Sequence, residues 1–285
     1  MTTPSPAAEG VRARFDAFVH RYELDPSRPT FAQARADLAR RALAPAVGLF
    51  ATIVALGLLI VGPFDSLPGE VVVNEELQKE RTPVLNQLTE IWSAIGNTEF
   101  IIGGCLLAIG LFWWRTRQWW VAITPGIAVA VQAAVFMLSA LVVGRERPDV
   151  ELLDDAPPTS GFPSGHAGAS VAFYLSLALL ARRIRRRWLR YLVTTLCVLV
   201  PLLVAYARLY RGMHHPTDVG VGILNGLVCV ALGWRYLRRE PVPASADTAD
   251  EVAGLVDRAA DARAAEHGGE RAEPQTRPTR ARTNE

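Results

Sequence analysis

Between residues 44 and 238 the apolar residues gather into six long runs separated by polar stretches. The runs cover about 44–63, 98–114, 119–143, 166–182, 188–209 and 216–238, close to the roughly 17–25 residues that an α-helix needs to cross a bilayer. The fourth, His166 to Arg182, is the shortest. By length alone it reads equally as a buried soluble helix, and its apolar neighbours favour a span. Residues 64–97 form the longest connection. Leu77, Val84, Leu85, Leu88, Ile91 and Trp92 recur near helical spacing there, which predicts a helix lying on the membrane surface or packed on the bundle.

The pattern predicts an all-α fold, a six-transmembrane-helix bundle with polar cytoplasmic N- and C-terminal tails. The domain limits that follow are an amino-terminal segment over 1–43, a membrane domain over 44–239 and a disordered tail over 240–285. The first apolar run starts too late for a cleavable signal peptide.

Charge supplies the orientation. Arg35, Arg40 and Arg41 precede the first run, and Arg115 and Arg117 join the second to the third. Arg182, Arg183, Arg185, Arg186, Arg187 and Arg190 join the fourth to the fifth, and Arg235, Arg238 and Arg239 follow the sixth. The alternate loops are mostly acidic, with Asp65, Glu70, Glu75, Glu76 and Glu80 in one and Asp149, Glu151, Asp154 and Asp155 in the other. Basic loops on one side place both ends in the cytoplasm. Composition adds little more. The three cysteines lie inside apolar runs and read as small buried hydrophobes, and no nucleic-acid partner is expected.

The candidate chemistry sits at the outer ends of the third to sixth runs: Arg145 and Arg147, then Ser164-Gly165-His166, Arg208, and His214 with Asp218. Guanidiniums fork onto phosphate oxygens, and the N–H groups opening a helix add donors. A neutral imidazole attacks phosphorus, a carboxylate four residues on can fix its tautomer, and a second imidazole can protonate the leaving oxygen. Each piece also has a bland reading: a turn with a helix cap, an acid favourable to a helix dipole, or arginines snorkelling at an interface. The acidic stretch Asp149 to Asp155 reads as a solvated loop, with a metal site as the alternative.

Arg147-Pro148, Pro163-Ser164-Gly165-His166, and Arg208 followed by His214 and Asp218 together resemble the three-part signature of the type 2 phosphatidic acid phosphatase family. Bacterial acid phosphatases and vanadium haloperoxidases are its soluble relatives. The resemblance covers about residues 44–238. It implies a six-helix membrane bundle, no metal or other cofactor, and a lipid phosphate or polyprenyl (pyro)phosphate as substrate among membrane lipids. It further implies His214 as nucleophile, Asp218 as its partner and His166 as leaving-group acid, with Arg147, Ser164, Gly165 and Arg208 holding phosphate and Arg145 adding charge. Two positions depart from the signature: Ala140 stands in place of a lysine, and Ala207 in place of a serine. The expected function is a membrane phosphatase acting on lipid phosphates at the extracytoplasmic face through a phosphohistidine. The alternative is a non-catalytic protein that binds lipid phosphate. A transporter would place ionisable groups near the midplane, where these runs offer only Gln132, Asn225 and hydroxyls.

Overall fold

The computed structural model describes residues 14–22, 28–64, 67–156 and 158–238, and its regular elements there are all helical. The expected tail 240–285 and the first thirteen residues lie outside the described ones. After a helical stretch over residues 14–19, the helices are α1 (Phe31–Val61), α2 (Pro68–Lys79), α3 (Pro83–Ile95), α4 (Thr98–Thr116), α5 (Trp119–Val143), α6 (Gly165–Ala181), α7 (Arg187–Tyr210) and α8 (Pro216–Trp234). Five of them, α1, α4, α5, α7 and α8, are long and apolar enough to cross a membrane. At 17 residues α6 is apolar but shorter. These are the helices of a multi-pass membrane protein. Leu107, Leu141, Leu202 and Leu227 stand exposed on their outer faces, a surface that lipid covers at no hydrophobic cost.

The first helix begins thirteen residues before the apolar run, at a Thr30–Gln33 capping box. Pro45 lacks an N–H and its ring crowds the preceding turn. The chain meets it with a π-helical turn, Ala39–Leu43, in which the Ala44 N–H reaches the Ala39 carbonyl. The polar segment ahead of the helix is also tied down. The Tyr22 hydroxyl donates to the Trp234 carbonyl, the Trp234 indole donates to the Phe18 carbonyl, and Arg21 donates to the Leu237 carbonyl.

Helix α6 runs through the middle of the bundle, packed against α5, α7 and α8. Small residues let it approach α8. A Cβ on Gly226 would lie 2.6 Å from the Gly168 carbonyl oxygen, and one on Gly222 would collide with the carbonyl oxygen of Ser164. This contact brings the start of α6 against the start of α8, so the second and third motifs meet.

The connection over residues 64–97 holds two helices, not one, because Pro83 restarts the helix after the break at Glu80–Thr82. Their orientation reverses the usual amphipathic rule. Polar Asn86, Thr89 and Ser93, at helical spacing on α3, meet residues of α7, while Val84 and Ile91 are exposed. On α2, Glu70 and Asn74 stand one turn apart, Glu70 reaching Thr217 at the start of α8 and Asn74 the His214 carbonyl just before it.

Candidate active site

Two glycines deliver the site loops. Gly144, at φ 65°, ends α5 and turns the chain into Arg145, and Gly212, at φ 74°, ends α7 just before His214. At Gly212 a side chain would also meet the Glu151 carbonyl oxygen at 2.9 Å.

A cavity of about 590 Å³ opens between α4, α5 and the ends of α6 and α7. Arg147, Gly165, His166, Arg208 and His214 line one end. Apolar residues of α4 and α5, among them Ile102, Leu106, Val129 and Met137, line the rest. Five of the eight expected site residues therefore share one wall. Ser164, Arg145 and Asp218 are not among its lining residues.

His214 is 4% exposed, and its Nδ1 lies 2.7 Å from the Gly161 carbonyl oxygen. A carbonyl only accepts, so Nδ1 carries the proton and Nε2 keeps its lone pair. Burial, then the charges of Arg208 and Arg147, push the His214 pKa well below its ordinary value, and the Gly161 bond only partly opposes them. The ring is thus neutral and of one tautomer. The expected pairing with Asp218 is not made. Helix α8 starts only at Pro216, and His215 at its N-cap is extended (φ −77°, ψ 159°), so four-residue helical spacing does not apply to His214. Asp218 is the third helical residue and closes a capping box on His215 instead, accepting from its backbone N–H at 2.7 Å.

Arg145 also departs from expectation. It is 4% exposed and donates to Asp218 Oδ1 at 2.6 Å, Thr217 Oγ1 at 2.7 Å and Glu70 Oε2 at 2.7 Å. Two carboxylates claim one guanidinium, so its charge is used within the protein. Burial alone would raise the Glu70 pKa, but the hydrogen bonds from Arg145 and Thr217 outweigh it and hold the carboxyl below its ordinary value. Ala140 and Arg145 line a separate hollow of about 440 Å³ that Arg147 shares.

Arg147 has no carboxylate within ion-pair distance among the described residues. It donates to the carbonyls of Met213 at 2.7 Å and Thr159 at 3.4 Å, which aim it at the cavity beside His214. Burial lowers its pKa and the Asp218 charge opposes that shift. Arg208 is held by Asp154 Oδ2 and Ser93 Oγ, each at 2.7 Å, and Asp154 also accepts from Arg211 at 2.7 Å. Asp154 is therefore a bracket for two arginines, neither a free loop acid nor a metal ligand. Ser164 is fully buried as the N-cap of α6. Gly165 is required by packing, since a Cβ there would lie 2.8 Å from the Phe136 ring.

Sequence reasoning passed over Asn97, whose Oδ1 lies 2.9 Å from His166 Nε2, together with Ser93 and Gly161, and read Asp154 only as part of an acidic loop. Only Asn97 left a signal: an Asn directly ahead of an apolar run reads as an N-cap, and it holds that position on α4, although its side chain turns to His166 and makes no capping bond. His215 is buried against Asp218.

Residues 119–241, the stretch that holds all three motifs, match the PAP2 superfamily. A decaprenylphosphoryl-5-phosphoribose phosphatase of Mycobacterium tuberculosis is 35% identical over 121 residues, 41% of this chain and 60% of the relative. A candidate undecaprenyl-diphosphatase of Escherichia coli, YbjG, is 33% identical over 129 residues, 43% of this chain and 61% of that one. The matched stretch thus spans about 60% of these relatives' length. The fold is shared with a transmembrane PAP2 type phosphatidylglycerolphosphate phosphatase of Bacillus subtilis, at a TM-score of 0.57 and 20% identity over 66% of this chain and 93% of that one.

Proposed function

We propose that this chain is an integral membrane phosphatase that hydrolyses lipid phosphate monoesters, or polyprenyl and lipid pyrophosphates, through a phosphohistidine on His214. The observation that carries the reading is the two-ended cavity. Its cationic end suits a phosphate, and its apolar wall between α4 and α5 suits the hydrocarbon chain of the same molecule. The named activities of the relatives, a lipid-linked phosphate in one and a lipid diphosphate in the other, point the same way.

In the reaction, His214 Nε2 attacks phosphorus while the bond from phosphorus to the leaving oxygen breaks. His166 delivers a proton to that oxygen. To do so it must be an imidazolium, which the bound phosphate anion beside it stabilises. Water then attacks the phosphohistidine, His166 takes its proton, and His214 leaves with its lone pair restored. Arg147, Arg208 and the free N–H groups of Gly165 and His166 at the start of α6 hold the equatorial oxygens, where charge builds. Asp218 acts at one remove, fixing the His214–His215 turn.

In this reading α6 is the sixth span, buried among the others, and the membrane domain runs to about residue 239. The arginine-rich ends face the cytoplasm and the cavity opens on the extracytoplasmic side. Labelling of intact cells, in a variant without native cysteines, is expected to modify Asp155→Cys and spare Arg186→Cys. The reverse pattern overturns the orientation. The activity itself is tested by phosphate release from purified protein, with chelator present, across phosphatidic acid, phosphatidylglycerol phosphate and polyprenyl mono- and diphosphates. Release from at least one is expected. Saturable binding with no release would leave the non-catalytic lipid-binding reading.

A further inference from the structure

His166 stands at the amino end of α6 and Arg182 caps its carboxyl end. Seventeen helical residues put them about 25 Å apart, at opposite ends of the bundle. At that far end a second concavity of about 500 Å³ is lined by Arg182, Arg183, Arg185 and Arg190, with Gln118 and Tyr22. No part of the phosphatase reading uses it.

The pocket has a built floor. Arg183 donates to Gln118 Oε1 at 2.6 Å and to the Tyr22 carbonyl at 3.1 Å, and its guanidinium lies over the Phe112 ring. Beside it, the Nε of Arg190 is buried without a hydrogen-bond partner. Among the described residues no carboxylate comes within ion-pair distance of Arg182, Arg185 or Arg190.

These cations also stand where a helix disfavours them. Arg186 is the N-cap of α7 and Arg187 and Arg190 stand at its start, where there is no side-chain cap and the positive end of its dipole lies. A bound anion relieves both the mutual repulsion and the dipole term, and it supplies acceptors for orphaned donors. Position decides what kind of anion. Trp113 and Trp114 at the end of α4, and Trp188 and Tyr191 at the start of α7, are all exposed on this end. Exposed tryptophan and tyrosine mark the level of lipid headgroups.

We propose that this arginine pocket binds the phosphate headgroup of an anionic phospholipid in the leaflet opposite the catalytic cavity, and holds the lipid without hydrolysing it. The choice of leaflet rests on the proposed reading of α6 as a span, while the binding itself rests on the cations and aromatics at this end and does not require the catalytic reading.

The test is native mass spectrometry of the detergent-solubilised full chain titrated with dioleoylphosphatidylglycerol or dioleoylphosphatidylcholine. The wild type is expected to retain the anionic lipid preferentially. Arg185→Gln/Arg190→Gln should raise its apparent Kd at least about tenfold and leave binding of the neutral lipid unchanged. His214→Ala should behave as wild type, which separates this site from the catalytic cavity. Millimolar inorganic phosphate should not displace the lipid. Should the double variant fail to fold, Arg185→Gln alone touches an exposed side chain and should still weaken binding about threefold. Equal phosphatidylglycerol affinity in wild type and variants overturns the proposal. So does equal affinity for the neutral lipid, and so does displacement by inorganic phosphate, which would make this a site for a soluble anion.

Discussion

Arg145 and Arg147 stand two residues apart in the loop after α5, and the protein treats their charges in opposite ways. Arg145 is enclosed by Glu70, Asp218 and Thr217, with both carboxylates at hydrogen-bond distance. Among the described residues Arg147 hydrogen-bonds to neutral carbonyls and has no carboxylate at ion-pair distance, and it lines the cavity with His214. A guanidinium whose charge is cancelled inside the protein holds loops together. One that is desolvated without a counter-charge keeps its attraction for a ligand anion. The same contrast separates the two carboxylate groups: Glu70 and Asp218 fix the α2–α8 corner, and Asp154 brackets Arg208 and Arg211 at the cavity edge.

Arg145→Ala should produce the largest loss of stability. It leaves two buried carboxylates without a counter-ion, which costs about 3–5 kcal/mol, read as a sharp fall in the thermal midpoint. Adding Glu70→Gln should cost less than the sum of the two single changes. If Arg145→Ala instead melts like wild type and loses only turnover, the division between the two arginines fails.

Arg147→Ala should do the reverse. It removes a cation from the transition-state shell, and kcat/KM should fall about 10²–10³-fold while the thermal midpoint barely moves. A comparable fall in stability would return Arg147 to a structural role.

Asn97→Ala should be milder, lowering kcat about tenfold or less, because it frees the His166 ring to reorient without removing it.

The pH dependences give the smallest signals and carry a definite sign. The stabilising contribution of Glu70 is fully present above the ordinary carboxyl value of 4.5 and is lost as pH falls through its lower folded-state value. Glu70→Gln should therefore flatten the acid side of the melting profile. His214 stays neutral below its ordinary 6.5. The acid limb of kcat/KM, corrected for the substrate's own ionisation, should lie below that pH. Arg147→Gln removes one of the charges that depress His214, so it should move the limb upward.

Much of this was legible in the sequence, for identifiable reasons. Helix termini and apolar runs are local properties, so α4 to α8 fall within a few residues of their expected limits. The three motifs could be assigned to one end of the bundle because arginine-rich and acidic loops alternate. What could not be read depends on partners distant in the chain. Asp154 looks like any acid in a polar loop until Arg208 and Arg211 arrive from α7. The polar face of α3 was hidden by its apolar periodicity, which points outward. The His214–Asp218 spacing suggested a contact, but the helix begins between the two residues and hands Asp218 to His215.

The central claim is that His214 becomes phosphorylated, and one measurement addresses it directly. Protein turning over a labelled lipid phosphate is quenched in base, digested, and the labelled peptide sequenced by mass spectrometry. The label should be stable to base and lost in acid. It should sit on the peptide that contains His214, and His214→Ala should show neither label nor turnover. Label on another residue, or undiminished turnover by His214→Ala, would contradict the account.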